Sequence, residues 1–343
     1  MTNVSEVGQP CCRAFVTGAT GFLGYQIVEQ LIAAEVAVRT LSRTGQLPGD
    51  LAVQGVEVVR GGLDDVELLT RAMAGCDVVF HVAADVSMWR RRWAASVATN
   101  VVGTRNMVAA ALRAEVERFV FTSTAATIGK PLSQPAGSEP TVLDESHPYN
   151  LHALEMVYPH TKWLAEQEVE QGLRRGLHAI TTHPAAVLGP GDWKHNTLPL
   201  FAAPRRGMAL AVPGGFRTIC DVRDVARGHL LAASQASPGE HYILGGEWMS
   251  VAELFALIAE EVGGLRPKLQ IPDRVMLGLG RLLDGVAELT DRPPLVSWEM
   301  ALQSTLRVGM SSAKAERELG YVSRPSRQSI RDGAEWFRSQ GRL

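Results

Sequence analysis

The glycine-rich segment at residues 17–24 constrains the fold of this chain more than any other feature. It follows an apolar run at 14–17, and apolar residues recur at helical spacing between positions 27 and 32. In that context Gly18 permits a tight turn, Gly21 lets the backbone approach a pyrophosphate, and Gly24 allows close packing of helix on strand. The free N–H groups at the start of the helix favour an anion. The segment therefore predicts a strand, a turn and a helix that together bind a dinucleotide.

Short apolar runs alternate with helical patterns through the first half of the chain. Such alternation is typical of an α/β fold, a doubly wound parallel Rossmann sheet. We predict six strands at 14–17, 37–41, 56–59, 78–82, 119–123 and 179–183. Helical stripes lie near 101–112, 164–173, 225–233 and 251–262. A loop rich in Pro, Ser and Gly at 130–148 is expected at the surface or over the cleft.

After Gly189 the pattern is interrupted by prolines, which indicates a smaller C-terminal substrate-binding lobe. We assign residues 12–189, with a returning segment at about 217–247, to the dinucleotide-binding domain. Residues 190–216 and 248–343 are assigned to the lobe.

The overall composition is that of an ordinary globular protein. Lys and Arg number 34 against 36 Asp and Glu, so no nucleic acid partner is expected. The four cysteines, Cys11, Cys12, Cys76 and Cys220, form no CxxC pair, which favours a reducing, cytoplasmic setting. Residues 1–10 lack the pattern of a signal peptide. The apolar stretch at 275–289 contains charges, so no membrane span is expected.

The end of the second predicted strand discriminates between the two nicotinamide dinucleotides. An acidic residue there would bind the 2′-hydroxyl of NAD, whereas this chain has Ser42 and Arg43. A guanidinium suits a 2′-phosphate, so NADP(H) is favoured and NAD(H) is the alternative. Arg39 is a second candidate for the same contact.

Tyr158 and Lys162 are the candidate catalytic pair. They stand four residues apart in a helical stretch and so share one face. An ammonium beside the phenol is expected to lower the tyrosine pKa and so permit proton transfer at neutral pH. Pro159 is compatible with the first turn of a helix. A hydroxyl at the end of the fifth strand, Ser123 or Thr124, would polarise a substrate carbonyl.

These motifs together resemble the extended short-chain dehydrogenase/reductase superfamily, which includes the NAD-dependent epimerase/dehydratase family. The resemblance is strongest to the branch of dihydroflavonol reductases, 3β-hydroxysteroid dehydrogenases and hopanoid-associated epimerase-like proteins. It covers about residues 14–263, through the glycine turn, the Tyr158-x-x-x-Lys162 pair and the motifs at 79–84, 100–104, 183–184, 189–192 and 221–226.

The resemblance implies an NAD(P)-dependent enzyme whose catalytic serine position falls on Thr124. Gly62 stands where relatives commonly carry an adenine-contacting aspartate. A homodimer is implied, formed by the helix after Asn100 and the Tyr158 helix. Expected cofactor contacts come from Thr17, Gly18, Thr20, Gly21, Phe22, Leu23, Gly24, Arg43, Gly62, Leu63, Ala83, Ala84, Asn100, Thr122, Ser123, Tyr158, Lys162, Pro184, Ala185 and Val187.

Large apolar residues after the fourth strand favour a hydrophobic or aromatic carbonyl substrate. The candidate substrate wall is Val86, Ser87, Met88, Trp89, Trp193 and Phe216. We therefore expect NADP(H)-dependent reduction of a ketone or aldehyde, or the reverse oxidation of an alcohol. The scattered histidines His160, His183 and His195 suggest no metal site.

Other functions occur on the same fold besides carbonyl reduction. Dehydratases of this type place an acidic residue after the active-site hydroxyl, where this chain has Ala125 and Ala126. Nucleotide-sugar epimerases, which hold NAD tightly, usually present Arg and Asn where this chain has His183 and Ala186, although Arg217 could bind a diphosphate. A non-catalytic dinucleotide sensor typically loses the tyrosine or the lysine, and this chain keeps both.

Overall fold

The computed structural model describes residues 13–49, 51, 54–131, 134 and 138–343. The expectations for the N-terminal decapeptide, for Cys11 and Cys12, and for parts of the 130–148 loop lie outside these residues. Cys76 and Cys220 are buried free thiols.

Strands occur wherever the sequence has short β-branched or aromatic runs. They are β1 (Arg13–Thr17), β2 (Ala37–Ser42), β3 (Glu57–Arg60), β4 (Val78–His81), β5 (Arg118–Thr122), β6 (Thr141–Leu143), β7 (Ala179–Pro184), β8 (Ala186–Leu188), β9 (Ala211–Pro213), β10 (Phe216–Asp221), β11 (His241–Leu244), β12 (Glu247–Ser250), β13 (Leu269–Ile271) and β14 (Val308–Met310).

Helices fill the segments between them. They are α1 (Phe22–Ala33), α2 (Val66–Met73), α3 (Trp93–Ser96), α4 (Gly103–Arg113), α5 (Val157–Arg174), α6 (Leu198–Arg205), α7 (Val222–Gln235), α8 (Val251–Val262), α9 (Asp273–Thr290), α10 (Trp298–Thr305), α11 (Ala313–Leu319) and α12 (Ser326–Ser339). None of the helices in the described ranges combines the length and the apolar character needed to cross a bilayer.

Seven strands form one parallel sheet in the order β11–β7–β5–β4–β1–β2–β3. This confirms the predicted Rossmann architecture, and all six predicted strands are present with ends shifted by one residue at most. The order reverses between β1 and β4, the crevice where doubly wound sheets bind their ligands. Every residue of β4 is buried because helices cover both faces of the sheet.

The two faces of the sheet have separate cores. On one face α1 packs against α7, around Ile27 and Phe80. On the other, α2, α4 and α5 pack in sequence around Phe119 and Met107. Because α5 carries Tyr158 and Lys162, this second core fixes the position of the candidate catalytic helix.

The smaller sheets and the C-terminal helices lie beyond the carboxyl end of β7. The β8–β10–β12 sheet and the pairs β9–β13 and β6–β14 belong to this part of the molecule. Strand β6 lies inside the loop predicted at 130–148 and pairs with β14, so part of that segment is ordered by the C-terminal region. Helix α8 has the predicted ends, because Ser250 and Glu253 form a capping box and Gly263 ends the helix in a left-handed conformation.

Candidate active site

The glycine turn after β1 has the geometry that a dinucleotide pyrophosphate requires. Gly18 has a φ of +79°, and a Cβ there would lie 2.8 Å from the backbone nitrogen of Ala83. A Cβ on Gly24 would lie 2.2 Å from the carbonyl oxygen of Gly18. Gly21 is the N-cap of α1, with no side-chain cap and no acidic residue in the first turn. The backbone N–H groups of this helix therefore fit a bound phosphate.

Thr17 joins the turn to the end of β4. Its hydroxyl accepts hydrogen bonds from the backbone N–H groups of Val82 at 3.1 Å and Ala83 at 3.2 Å, and contacts His81 Nδ1 at 2.9 Å. The other ring nitrogen of His81 lies 2.9 Å from the Thr104 hydroxyl. Burial lowers the pKa of His81 to about 3, so its neutral imidazole links these elements. The floor of the groove at 83–84 is thereby fixed to the glycine turn.

The end of β2 presents one exposed guanidinium. Arg43 is exposed, while Arg39 pairs with Glu57 at 2.8 Å and donates to the Ala72 carbonyl oxygen at 2.7 Å. Arg39 is therefore held between strands by these contacts. Of the two candidate arginines, Arg43 is the one that faces solvent. Arg60, at the end of β3, passes beside Gly45 of the same loop.

The position of the missing adenine-contacting aspartate is approached by another carboxylate. A Cβ on Gly62 would lie 2.4 Å from Oδ1 of Asp64. Leu63 packs beside Gly103, and its carbonyl oxygen accepts a hydrogen bond from Asn106 at 2.7 Å. The sequence analysis did not identify Asp64, because its side chain turns back toward Gly62, two residues earlier. No motif spacing predicts that side-chain direction.

Asn100 lies in a π-helical turn, Val97–Val102, that leads into α4. Its amide contacts the backbone N–H and carbonyl of Asp85 at 2.8 and 2.9 Å. It also donates to the Thr161 hydroxyl at 3.0 Å, beside Lys162. Such π-turns are frequent at functional sites. Asn100 therefore links the segment after β4 to the catalytic helix.

Tyr158 and Thr124 meet at the carboxyl end of the sheet. The Thr124 side chain lies beside the phenol of Tyr158 and acts to lower its pKa, and the Thr124 hydroxyl accepts a hydrogen bond from the N–H of Ala126 at 3.2 Å. The neighbouring Ser123 hydroxyl instead donates to the buried carboxyl of Glu166. Thr124, rather than Ser123, is thus the candidate hydroxyl beside Tyr158. Pro159 lies in the first turn of α5, as expected.

The electrostatics of the pair differ from the sequence expectation. Burial raises the pKa of Tyr158 to about 12, and Thr124 opposes that shift. Burial lowers the pKa of Lys162 to about 7, while Glu166 favours its charged form. The Lys162 ammonium lies 4.2 Å from the centre of the Phe121 ring. The expectation of a lowered tyrosine pKa was wrong, because desolvation outweighs the effect of Thr124 and the charge of Glu299 adds to the upward shift.

A carboxylate from the C-terminal part of the chain caps α5, the helix that carries Tyr158 and Lys162. Glu299 of α10 accepts hydrogen bonds from the N–H groups of Val157 at 2.8 Å and Tyr158 at 3.4 Å. Burial raises the pKa of Glu299 to about 7. Sequence reasoning missed this contact, because residues about 140 positions apart carry no shared local pattern.

Lys130 secures the turn that follows Thr124. Its buried ammonium donates to the carbonyl oxygens of Ala125, Ala126 and Ile128 at 3.0 to 3.1 Å. These carbonyls belong to the short 3₁₀ turn directly after Thr124. A buried lysine at this place holds the backbone that presents the threonine hydroxyl.

The remaining predicted cofactor positions lie at the ends of β5 and β7. The Thr122 hydroxyl contacts the buried His229 of α7 at 2.9 Å, so its side chain faces the α7 side of the sheet. Pro184 ends β7, and the N–H of Ala185 donates to the Leu244 carbonyl oxygen at 3.1 Å. Val187 lies in β8 and packs with Cys220 and its neighbours.

The segment 85–92 after β4 is tied to the C-terminal helices. Arg91 forms an ion pair with Asp291 and donates to the Glu288 carbonyl oxygen at 2.8 Å. Arg92 pairs with Asp85 at 2.6 Å, and the Ser87 hydroxyl accepts a hydrogen bond from the N–H of Trp89. The segment that carries the predicted substrate residues therefore faces α9 and α10.

Two parts of the predicted substrate wall lie near α10. One is Met88, and the other is strand β10, which begins at Phe216. Gln303 approaches Met88 Sδ at 3.9 Å, and its carbonyl oxygen accepts a hydrogen bond from Arg217 at 2.5 Å. The Phe216 ring lies 6.1 Å from the Trp248 ring. The indole N–H of Trp89 is buried with no hydrogen-bond partner among the described residues, and Val86 is exposed.

Trp193 occupies a different place. Its ring lies 5.9 Å from that of Tyr25 in α1 and 5.2 Å from that of Trp336 in α12. These are packing contacts beside the glycine-turn helix, so the structure gives Trp193 a role in joining α1 to the C-terminal helix. Trp193 thus packs against Tyr25 and Trp336, and it does so apart from Met88, which contacts Gln303 of α10.

Comparison with known proteins identifies the family of this chain. A family model described as the NAD dependent epimerase/dehydratase family matches residues 14–245. A protein of Synechocystis sp., provisionally named a dihydroflavonol 4-reductase, is 34% identical over 333 residues and covers 95% of each chain. A 4-hydroxy-2-methyl-3-oxo-4-farnesyl-3,4-dihydroquinoline-1-oxide ketoreductase of Stigmatella aurantiaca is 34% identical over 325 residues, 92% of this chain and 93% of that one.

Solved structures show the same fold over the whole chain. The crystal structure of gox2253 matches with a TM-score of 0.82 and 32% identity, and the match covers 97% of this chain and 99% of that chain. The relatives include both dihydroflavonol reductase-like and 3β-hydroxysteroid dehydrogenase-like proteins. Family and relatives indicate an NAD(P)-dependent enzyme of the oxidoreductase or epimerase type. With its glycine turn, its Tyr158 and Lys162 pair and this extended similarity, the chain belongs to the NAD-dependent epimerase/dehydratase family.

Proposed function

We propose that this protein is an NADP(H)-dependent reductase of a hydrophobic or aromatic ketone or aldehyde. The observation that carries the proposal is the position of the Thr124 side chain beside a Tyr158 phenol whose pKa is raised by burial to about 12. At neutral pH that phenol holds its proton, which is the form that a proton donor to a carbonyl oxygen requires. Two hydroxyls side by side suit the two lone pairs of one carbonyl oxygen.

In this mechanism the chain's own residues handle the oxygen of the substrate. The bound nicotinamide supplies the hydride when the carbonyl carbon is reduced. The Thr124 hydroxyl donates a hydrogen bond to the carbonyl oxygen and orients it. Tyr158 transfers its phenolic proton to the same oxygen as negative charge develops there. Lys162, buried beside them, returns a proton to the tyrosine.

The preference for NADP(H) is supported by the exposed Arg43 at the end of β2, with Arg60 near the same loop. We infer that both arginines bind the 2′-phosphate, and that Asp64 contacts the adenine in place of the absent aspartate at 62. The remaining positions predicted from the resemblance are proposed as the other cofactor contacts.

The substrate class is supported by the surroundings of the 85–92 segment. Met88, Trp89 and Phe216 offer apolar surface where that segment faces α10. The buried, unpartnered indole N–H of Trp89 can donate to a polar atom of the substrate. The Stigmatella relative is named for ketone reduction on a farnesyl-bearing ring, which agrees with such a wall. We propose the segments 190–216 and 248–343 as the substrate-binding lobe.

A nucleotide-sugar epimerase is the second candidate, and Arg217 is the observation in its favour. Its guanidinium is partly buried near the substrate segment, although it already donates to the Gln303 carbonyl oxygen. His183 and Ala186 stand where such enzymes usually carry Arg and Asn, and they argue against this function.

A direct test mixes the purified protein with NADPH or NADH and a panel of aromatic and long-chain ketones and aldehydes. We expect NADPH consumption with at least one of them, and Tyr158→Phe should lose about 100-fold or more in kcat while still binding cofactor. If Tyr158→Phe behaves like the parent protein, a non-catalytic dinucleotide sensor is favoured. Tightly held NAD, no net consumption and interconversion of UDP-sugars would establish the epimerase instead.

A further inference from the structure

Helix α9 has an apolar side that the described part of the chain leaves open to solvent. Five apolar side chains, each between 40% and 89% exposed, follow one another at alternating spacings of four and three residues: Val275, Leu279, Leu282, Val286 and Leu289. We call these five residues the α9 stripe. Their spacing is that of the two apolar positions in a coiled-coil heptad, whose side chains pack against a second helix.

The α9 stripe is not the side that holds α9 to its own chain. The buried residues of the helix are Met276, Gly280 and Ala287, which lie on another side. A Cβ on Gly280 would lie 2.8 Å from Cα of Trp298, so the buried side packs closely on α10. Helix α9 therefore uses one side for the fold and presents a second apolar side to solvent.

The size of the α9 stripe suits a protein interface. Its five side chains expose on the order of 500 Å² of apolar surface, and exposed patches of this size commonly mark interaction sites. A stable dimer buries about 800 Å² on each partner. Leu295 and Met300, which follow α9 in the chain, are also exposed and can supply part of the remaining area.

The α9 stripe is symmetric about Leu282. Val275 lies seven positions before Leu282 and Leu289 lies seven after it. Leu279 lies three before and Val286 four after. When two copies of α9 run antiparallel and cross at Leu282, each of these residues therefore meets an apolar residue of the other copy. A two-fold interface requires such a self-complementary surface, because the same residues serve both subunits.

Charged residues beside the α9 stripe are complementary in the same arrangement. Arg274 and Glu288 are exposed on one flank of the stripe, and neither forms an ion pair among the described residues. They lie eight positions before and six after Leu282, so in the antiparallel pair they are level to within about 3 Å along the helix axis. Arg281 is on the same flank, but its guanidinium lies 5.9 Å from the centre of the Trp298 ring of its own chain.

The charges of α9 favour a protein partner over a lipid surface. Helices that lie on membranes carry mostly Lys and Arg beside their apolar side, which suits anionic lipids. Helix α9 carries two arginines against three acidic residues, Asp273, Asp284 and Glu288. Opposite charges that match across a two-fold axis suit a second copy of this chain instead.

We propose that two copies of this protein associate through the α9 stripe, as an antiparallel pair of helices with Leu282 at the two-fold axis. This interface uses a different helix from the homodimer that the family resemblance implies through α4 and α5. The α9 interface alone gives a dimer, and two different two-fold interfaces on one subunit give a closed tetramer. The association does not depend on the reaction that the protein catalyses.

The mass of the protein in solution tests this association. By equilibrium sedimentation we expect the parent to be a dimer or a tetramer. Leu282→Glu should halve that mass, because a buried carboxylate at the axis should raise the dissociation constant of the interface about 100-fold or more. Val322→Glu is the matched control, because Val322 is an exposed apolar residue outside α9. The circular dichroism of Leu282→Glu should match that of the parent, since this side chain is 64% exposed.

A charge exchange tests the antiparallel pairing. Arg274→Glu and Glu288→Arg should each weaken association about tenfold, because each variant brings like charges together. The double variant should recover the parent mass, because exchanging both residues restores two ion pairs of opposite charge. A double variant that associates no better than the single variants would contradict the antiparallel pairing.

Cross-linking tests the position of the axis. In a chain with Cys11 and Cys12 replaced by serine, Leu282→Cys should form a disulfide between two chains under mild oxidation, because position 282 meets its own copy. The buried Cys76 and Cys220 do not compete, and Val322→Cys should give no such product.

Two results would overturn the α9 interface. One is a monomeric parent, and the other is a Leu282→Glu variant that keeps the parent mass. A monomeric parent that cosediments with phosphatidylserine vesicles, and loses this binding in Leu282→Glu, would assign the α9 stripe to a membrane surface instead.

Discussion

The carboxylate of Glu299 accepts a hydrogen bond from the N–H of Val157 at 2.8 Å, and so caps the helix that carries Tyr158 and Lys162. A residue of α10, in the part of the chain proposed to bind substrate, thereby contacts the first turn of the catalytic helix. The negative charge also suits the positive end of the α5 dipole. One side chain therefore joins α10 to the first turn of α5.

We expect Glu299 to make stability fall as the pH rises through its titration. Its pKa is about 7 when folded against an ordinary value of 4.5, so the folded protein binds more protons than the unfolded chain between these pH values. Relative to Glu299→Gln, the parent should lose about 3 kcal/mol of unfolding free energy between pH 4.5 and 7.5. Urea unfolding of both proteins across this range measures it, and a constant difference would contradict the raised pKa.

Thr124 should prove to be the hydroxyl that acts on the substrate. Thr124→Val removes the donor beside Tyr158 and is expected to lower kcat/KM about 100-fold, whereas Thr124→Ser should stay within about fivefold of the parent. Ser123→Ala should lose less than about tenfold, because that hydroxyl is bonded to Glu166 and faces away from the phenol. Steady-state kinetics decide the matter, and a larger loss in Ser123→Ala than in Thr124→Val would reverse the assignment.

Arg43→Ala should weaken NADPH binding while leaving NADH binding nearly unchanged. Loss of one guanidinium from a phosphate is expected to raise the Kd for NADPH about 10- to 100-fold. Arg274→Ala is the control, because this arginine is exposed on α9, far along the chain from β2. Fluorescence titration with each cofactor gives the result, and an equal effect on both cofactors would show that Arg43 does not read the 2′-phosphate.

Gly24→Ala should damage both stability and cofactor binding. Its Cβ would stand 2.2 Å from the Gly18 carbonyl oxygen, so the turn must move. We expect a loss of at least about 2 kcal/mol in unfolding free energy. The control is Gly278→Ala in α9, where no atom lies within 4 Å and where a helix interior should gain up to about 1 kcal/mol. Thermal unfolding with and without NADPH compares the two, and similar behaviour of both variants would contradict the tight packing at 24.

Local patterns in the sequence were sufficient for six of the seven strands of the large sheet, the glycine turn and the helix that carries Tyr158 and Lys162. Strand alternation, turn glycines and a spacing of four residues are set by backbone geometry over a few residues, so they can be read without knowing what packs where. The short strand β6 was not predicted, because its strand partner, β14, lies far away in the chain.

The choice between neighbouring groups needed the tertiary structure. The sequence favoured Thr124 and Arg43 but left Ser123 and Arg39 as alternatives, because side-chain direction depends on what each group packs against. It also could not show that burial would raise the pKa of Tyr158, since desolvation depends on the atoms that surround a group. Glu299 contacts the start of α5 across a long chain separation, and such a contact is decided only when the whole core is packed.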